Sequence, residues 1–575
     1  MLGERTPTPN RRWKRVTVTA QVIAAIGVVL FLRDVCQDAD ARAREVSLSL
    51  HEMLQRLEAK PSLLSKAGGL PTDAASCIDE TVDPCSDFYG YACGGWVERT
   101  PIPRDKPIFS RAFDGAAAHV HAKLRSIYEG EYPADAPERA LADFYTSCMN
   151  TTRLNELGAA PLKTVLEKTD RLPSDSPAPT EVGHMIAEFL ALDVPCPIRL
   201  SVASAGGAHN VLFVNGGGFV LPDASYYKIP QNGHPPPSPD VHAAERQLLQ
   251  DYYYRLNLIA GYAEDESRRA ARSTIGLETI FADWAVTEPE IAVDNVVIDS
   301  LWALEQVTAS VPWRFMVSHM AQQCEQARVA EEGPHGGGAA AGGAGTCQGI
   351  SKLVLDEKFV LLGSPRFLRQ LELLMRTQPA GMWARYLRTH YLYNTAPLLD
   401  ARFLAANLDI DASVTGVRAQ PSRSDRCVGL VSSSVLSGLS DRMFLARFFP
   451  QSSAAFSEAQ GLLDEIKAAF IRTLEAVPWM DAATKHTAVA KAQKMGVNIG
   501  GPAAAYAEAA GAAGPLRDVR ADSLLRNVEA SSRIKVARRL GGVGALVRGD
   551  AAEWSMGATT VVVSSGLCAC MHAYA

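Results

Sequence analysis

Through most of the chain after Ala116, apolar residues recur three or four positions apart, the spacing that lines one face of an α-helix. Glu138 to Tyr145, Val182 to Leu192, Ala243 to Ala263 and Ser267 to Val286 all carry it. In Ala454 to Val477 the residues Phe456, Leu463, Ile466, Phe470, Leu474 and Val477 form one stripe, which predicts a helix facing a core and not a cofactor. Strand signal is sparse. Val211 to Val214 is a short β candidate ahead of Asn215-Gly216-Gly217-Gly218, and Leu221-Pro222-Asp223 reads as a turn before Tyr226-Tyr227. Pro235 to Pro239, the Gly/Ala run Gly333 to Gly345 and the Ala-rich Ala503 to Gly514 interrupt the helices; the first two are too poor in large apolar side chains to be anything but surface loops. The pattern predicts a mainly α protein with few short strands.

Near the N-terminus the pattern changes. Val16 to Leu32 is uncharged, with Arg11, Arg12, Lys14 and Arg15 before it and Arg33-Asp34 after it. That length is the lower limit for crossing a bilayer. The basic flank predicts a cytoplasmic tail over 1–15, a signal anchor over 16–32 and a polar stalk over 33–82, with everything downstream outside the cell. The expectation is a single-pass type II protein of the plasma membrane. A cleaved signal peptide is the competing reading, since the flank is basic and Ala24-Ala25 are small. The anchor is favoured because the apolar stretch exceeds the ~7–15 residues of a signal-peptide core and no small-x-small site closes it.

At 575 residues and 47% hydrophobic content the chain is long enough for more than one domain. With 57 basic against 63 acidic residues and a net charge of −6, no broad cationic surface is available to a phosphate backbone, so nucleic acid is not an expected partner. The 11 cysteines are widely spread, without zinc-ribbon spacing, as in a secreted protein. Their odd number leaves at least one thiol without an intrachain partner. Cys324 and Cys347 flank the Gly/Ala run at the neck of that loop, but sequence does not fix the pairing of Cys36, Cys77, Cys196, Cys324, Cys347, Cys568 or Cys570. Asn150-Thr151-Thr152 is a glycosylation sequon, which predicts a surface acceptor at Asn150.

The most distinctive string is Asp83-Pro84-Cys85-Ser86-Asp87-Phe88-Tyr89-Gly90-Tyr91-Ala92-Cys93-Gly94-Gly95-Trp96. Asp83 suits a helix cap, Pro84 its first turn and Gly94-Gly95 its end, which would put Cys85 and Cys93 at opposite ends of one short helix. The string resembles the start of the ectodomain in the neprilysin and endothelin-converting-enzyme family of membrane-anchored zinc peptidases. Further segments resemble the same family in its own order: Phe144-Tyr145-Thr146-Ser147-Cys148-Met149-Asn150, then Gly218-Phe219-Val220-Leu221-Pro222-Asp223 with Tyr226-Tyr227, then Arg426-Cys427-Val428. Pro478-Trp479-Met480-Asp481 with Thr484, Ala488, Lys491-Ala492, Ile499-Gly500 and Pro502 completes the run. The resemblance spans about 77 to 561 and implies a large helical ectodomain domain, set here at 83–561 and followed by a divergent tail at 562–575. It also implies a Cys148–Cys427 disulfide and leaves Cys85 and Cys93 as orphans, because their family partners lie near a C-terminus that this sequence does not match. Phe113-Asp114 resembles a segment near the family's substrate site, with Arg111 close by; the residues themselves read as an exposed turn.

Zinc peptidase chemistry needs two imidazoles one helical turn apart, a third ligand and a carboxylate to take a proton from bound water. None of the 12 histidines falls at i and i+4, so His-Glu-x-x-His is missing. His51-Glu52-Met53-Leu54-Gln55 ends in Gln within the stalk, and His119 and His121 point to different sides of a helix. Trp554 to Val561 resembles the family segment before its substrate-binding strand, but Cys568-x-Cys570 with His572 follows instead and reads as a divergent tail. The expectation is a neprilysin-type chain without its thermolysin-like catalytic domain, inactive as given and without a cofactor, zinc belonging only to a full-length form. That form would cleave extracellular peptides before hydrophobic residues. The alternative is a non-catalytic ectodomain that binds peptides, or forms a homo- or heterodimer with a full-length relative through its unpaired cysteines. Either way, helices that would cover the missing domain should expose apolar faces.

Overall fold

The computed structural model describes residues 72–204, 210–227, 240, 242–285, 296–298, 300–332, 360–495, 499–500 and 519–543. The chain divides into two units, residues 1–101 with 574–575 and residues 102–573, which are taken in turn.

The first unit is built on α1, Phe88–Arg99, capped by Asp87, whose carboxylate accepts from the Gly90 amide at 2.8 Å. This corrects the expected helix between Asp83 and Gly94-Gly95. Asp83 instead closes a turn, accepting from the Cys85 amide and the Ser86 hydroxyl, and the helix runs through both glycines. Their role is close approach. The Gly95 amide donates to the Cys77 carbonyl at 3.0 Å, and a Cβ on Gly95 would lie 2.7 Å from the Ile78 carbonyl oxygen. Cys85 therefore precedes the helix and Cys93 lies within it.

In the second unit the predicted helices appear with shifted ends. They are α3 Arg139–Met149, α4 Pro179–Ala191, α5 Ala243–Ile259 and α6 Glu264–Trp284, and they are preceded by α2 Arg111–Tyr128, whose start the sequence read as a turn. The break between α5 and α6 has a local cause. Gly261 takes φ +100°, which lets the Tyr262 amide reach back to the Asn257 carbonyl at 3.1 Å, and Glu264, Asp265 and Glu266 then sit at the positive end of the α6 dipole. Further along come α7 Trp313–Glu332, α8 Ala380–Thr395, α9 Arg423–Ser432, α10 Ser437–Phe448, α11 Ala454–Ala476, α12 Ala482–Gln493 and α13 Leu524–Gly541.

The core is centred on α8, in which Trp383, Tyr386, Leu387, Tyr391 and Leu392 are buried. It packs against α4, α5 and α6, with Phe281 of α6 touching both Trp383 and Tyr386 edge-on or tilted. Each such aromatic side chain, fully buried, contributes about 1.5–3 kcal/mol of transfer free energy. Cys148 of α3 and Cys427 of α9 form a disulfide with Cα atoms 5.7 Å apart, as the resemblance implied.

Four strands make one sheet: β1 Ile198–Ser204, β2 Asn210–Gly216, β3 Val296–Ile298 and β4 Val360–Leu362, in the order β1-β2-β4-β3. β1 and β2 are antiparallel with Ile198 opposite Gly216, β2 and β4 are parallel, and β3 and β4 are antiparallel. Among the described residues β1 is thus an edge strand. Of the four strands, only the core of β2 is predicted from the sequence.

The main correction concerns α11. The expected core-facing helix forms, but none of its residues is buried. Phe456 and Leu463 rest against the core, whereas Leu462, Ile466 and Phe470 are 44%, 53% and 46% exposed. The helix is amphipathic with no described core for its C-terminal half. No described helix is long and apolar enough to cross a membrane; residues 16–32 lie outside the described set. So do 235–239, 333–345, 503–514, the 562–575 tail, His51 and Cys347.

Candidate functional site

Arg111 and Asp114 open α2 and do not form a turn, which corrects the sequence reading. Ser110 caps the helix by accepting from the Phe113 amide, and Asp114 accepts from the Ser110 amide at 2.6 Å and pairs with Lys106 at 2.5 Å. Burial opposes ionisation of Asp114, but Lys106 and Ser110 outweigh it and hold the carboxyl below its ordinary value. Arg111 is exposed on the first turn. Asn150 is exposed too, and caps the helix Thr151–Leu157 through its Oδ1, which accepts from the Arg153 amide at 3.0 Å. Cys85 is exposed and Cys93 half-buried.

A deeper arrangement surrounds the string Gly218 to Tyr227. Gly218 takes φ +92°, and a Cβ there would lie 2.7 Å from the Tyr386 hydroxyl, which donates to the Gly218 carbonyl. The Tyr227 hydroxyl accepts from the Val220 and Leu221 amides and donates to Glu278 of α6 at 2.8 Å. Glu278 is fully buried and also receives the Tyr253 hydroxyl at 2.5 Å and His390 Nε2 at 2.8 Å. His390 Nδ1 lies 2.9 Å from the Pro195 carbonyl oxygen, an acceptor only, so Nδ1 carries a proton. Burial, reinforced by the Glu278 charge, raises the Tyr227 and Tyr253 hydroxyls, which therefore stay protonated and donate. The carboxylate accepts from three donors and ties the 218–227 loop, α5, α6 and α8 together; it is no free base. Sequence reasoning found the loop and missed Glu278 and His390, which sit singly on helices and acquire partners only through tertiary contact.

A second network beside it was also missed. Arg388, 3% exposed, donates to Asn257, Asp170 and Glu266 and stacks on Tyr262 with its guanidinium carbon 3.8 Å from the ring centroid. Burial would raise the Glu266 carboxyl, but Arg388 and Arg385 outweigh it and hold it below its ordinary value.

The anchored loop forms one wall of an open groove of about 670 Å³ that follows β1 and is closed opposite by α13 and residues 193–195. Arg199 on β1 lies over Phe219, its guanidinium carbon 5.8 Å from the ring, and Arg539 of α13 pairs with Asp193 at 3.0 Å. Cys196 in the same wall is not a nucleophile: burial pushes its thiol up to about 12, and it donates to the Ile198 carbonyl.

A catalytic zinc does not fit the described residues. None of them forms a group of three or more metal-ligating side chains. His390 has both nitrogens engaged, His184 uses Nδ1 on the Thr180 carbonyl and His121 lies 3.5 Å from Asp425.

This geometry has clear relatives. The family model described as Peptidase family M13 matches residues 84–502. The chain belongs to peptidase family M13, the neprilysin type of zinc metallopeptidase. Endothelin-converting enzyme 1 of Cavia porcellus is 23% identical over 461 residues, which cover 78% of this chain and 55% of that protein. Human membrane metallo-endopeptidase-like 1 is 23% identical over 451 residues, covering 74% and 52%. Among solved structures, Mycobacterium tuberculosis zinc metalloprotease ZMP1 in complex with an inhibitor aligns with a TM-score of 0.64 and 19% identity, covering 86% of this chain and 68% of that one. PEPO from Lactobacillus rhamnosis gives 0.61 and 18%, covering 83% and 68%. The chain spans about half the length of the curated relatives it matches. The family-model match ends at residue 502.

Proposed function

We propose that these residues form the helical cover lobe of a membrane-anchored M13 zinc metalloendopeptidase, a single-pass type II protein with its anchor at 16–32 and its folded residues outside the cell. One observation carries the reading. Leu462, Ile466 and Phe470 form an exposed apolar row on α11, and Trp479, 73% exposed, follows in the turn to α12. Such a row on an extracellular domain is a docking face. Its proposed occupant is the part of the family architecture that the relatives carry beyond the matched region. The printed 575 residues contain no His-Glu-x-x-His, so the polypeptide they make is proposed to hold no zinc and to cleave nothing by itself. In a longer form, peptide hydrolysis would come from the docked lobe. The test is to incubate the purified chain with a quenched bradykinin-like peptide, with and without a chelator. Product at the rate of the blank is expected; cleavage that the chelator abolishes overturns the reading.

A second reading rests on Cys85, an exposed thiol just before α1. It makes the chain an inert ectodomain that binds peptides or pairs covalently with another copy or with a full-length relative. Non-reducing electrophoresis should then show a dimer that Cys85→Ser abolishes, and a monomer band under both conditions removes this reading.

A further inference from the structure

The outer edge of β1 has an orientation that hydrogen bonding fixes. The Gly217 amide donates to the Pro197 carbonyl at 2.9 Å, so Pro197 faces β2, and alternation turns Arg199 and Ser201 the same way. Leu200 and Val202 therefore present their backbone N–H and C=O groups away from the sheet. A second bond agrees: the carbonyl of Val214, the residue opposite Leu200, accepts from Gly363 beyond β4, so this pair does not bond to each other. Among the described residues, no backbone hydrogen bond reaches the outer groups of Leu200 or Val202. Unpaired strand edges are templates for another strand. The groove runs along this same stretch, lined by Ile198 to Ser201, so Leu200 borders a space of about 670 Å³, and Val202 follows just beyond it.

We propose that this groove binds an extended peptide as a fifth strand, antiparallel or parallel to β1, between the strand and α13. Main-chain bonds to Leu200 and Val202 supply the affinity, and alternate side chains of the peptide meet Phe213, Phe219 and Val536 on the groove walls. The charges select the partner. Arg199 is exposed with its guanidinium over Phe219, Arg539 stands on the opposite lip, and among the described residues Asp193 is the one acid lining the groove. A peptide carrying a carboxylate, from an acidic side chain or from its own C-terminus, fits this balance. The site needs no hydrolysis and does not depend on the docking role of α11.

The experiment measures fluorescence anisotropy of the full chain with a labelled hexapeptide of alternating Val and Glu. Saturable binding is expected. Methylating the backbone nitrogens of the peptide at one set of alternate positions should weaken it about tenfold or more, while methylating the other set changes it less than about twofold, since only one set faces β1. Arg199→Glu should weaken binding about fivefold or more, with the circular dichroism spectrum unchanged. Comparing C-terminal amide with free acid, and Glu with Gln, shows which carboxylate Arg199 takes. Absence of saturable binding, equal effects of both methylation sets, or indifference to Arg199→Glu and to both carboxylate changes overturns the proposal.

Discussion

α8 and α11 both arise from apolar residues at helical spacing, yet α8 is almost wholly buried and none of α11 is. The difference lies in their partners. Around α8, three helices and a loop converge, and its charged groups are matched, His390 with Glu278 and Pro195, Arg388 with Asn257, Asp170 and Glu266, whereas the buried Trp383 Nε1 has no hydrogen-bond partner among the described residues. α11 meets the core through Phe456 and Leu463, and elsewhere its polar contacts are peripheral, such as Lys467 reaching the Gln493 and Met495 carbonyls. Amphipathicity states that a helix has a face to bury. It does not state that the burying surface lies among the residues in view.

The sharpest way to break this contrast is at Glu278. Glu278→Leu removes the acceptor of Tyr227, Tyr253 and His390 together and strands those polar groups in the core. A loss of about 3–5 kcal/mol is expected, read as a lower denaturant midpoint in chemical unfolding of the full chain. A change under 1 kcal/mol would mean that the α8 surroundings tolerate unpaired polar groups, and the contrast with α11 would lose its physical basis. Next comes the disulfide. Cys148→Ser with Cys427→Ser frees a loop with a sequence separation of 279 and should cost about 2–4 kcal/mol, the usual range for a disulfide, seen as a lower melting temperature without reductant. Reductant should then lower the parent's melting temperature towards that of the variant.

How much of this was legible follows the same division. Local pattern revealed α3 to α6, because 3–4 spacing survives whatever the helix later packs against. The ends moved where one residue type serves two purposes: Gly94-Gly95 looks like a helix stop but permits close contact with residues 76–78. β1 had a readable signal, since Ile198, Leu200 and Val202 alternate with Arg199, Ser201 and Ala203, but the prolines at 195 and 197 obscured it. The Glu278 and Arg388 networks were not legible. Their members come from separate helices, and no spacing rule links Tyr227 to Glu278 or Asp170 to Arg388. The disulfide came from family resemblance and not from spacing.

Asp441 of α10 stands between the two extremes. Burial lifts its carboxyl from 3.8 to about 6, only partly offset by Arg442. A folded-state value above the unfolded one means that its contribution to stability is greatest when protonated and is lost as pH rises from about 4 through 6. Asp441→Asn should therefore match the parent near pH 3.5 and exceed it at pH 7.5 by on the order of 1–2 kcal/mol, after discounting for partial exposure. Melting curves at the two pH values check this. Equal stability at both would place the carboxyl in water and move α10 to the exposed side of the comparison.

The smallest expected effect is the most informative about α11. If Ile466 and Phe470 face solvent in the isolated chain, Ile466→Ala with Phe470→Ala should change stability by less than about 0.5 kcal/mol, the range of surface substitutions. The same pair in a packed core would cost several kcal/mol, because each truncation loses transfer free energy and leaves a cavity. The double variant should also bind less of a hydrophobic dye and stay soluble at higher concentration, as removing an exposed apolar row predicts. A loss above 2 kcal/mol would show that the row is already covered within this chain. The docking role of α11 would then fall, while the buried framework around α8 would remain as described.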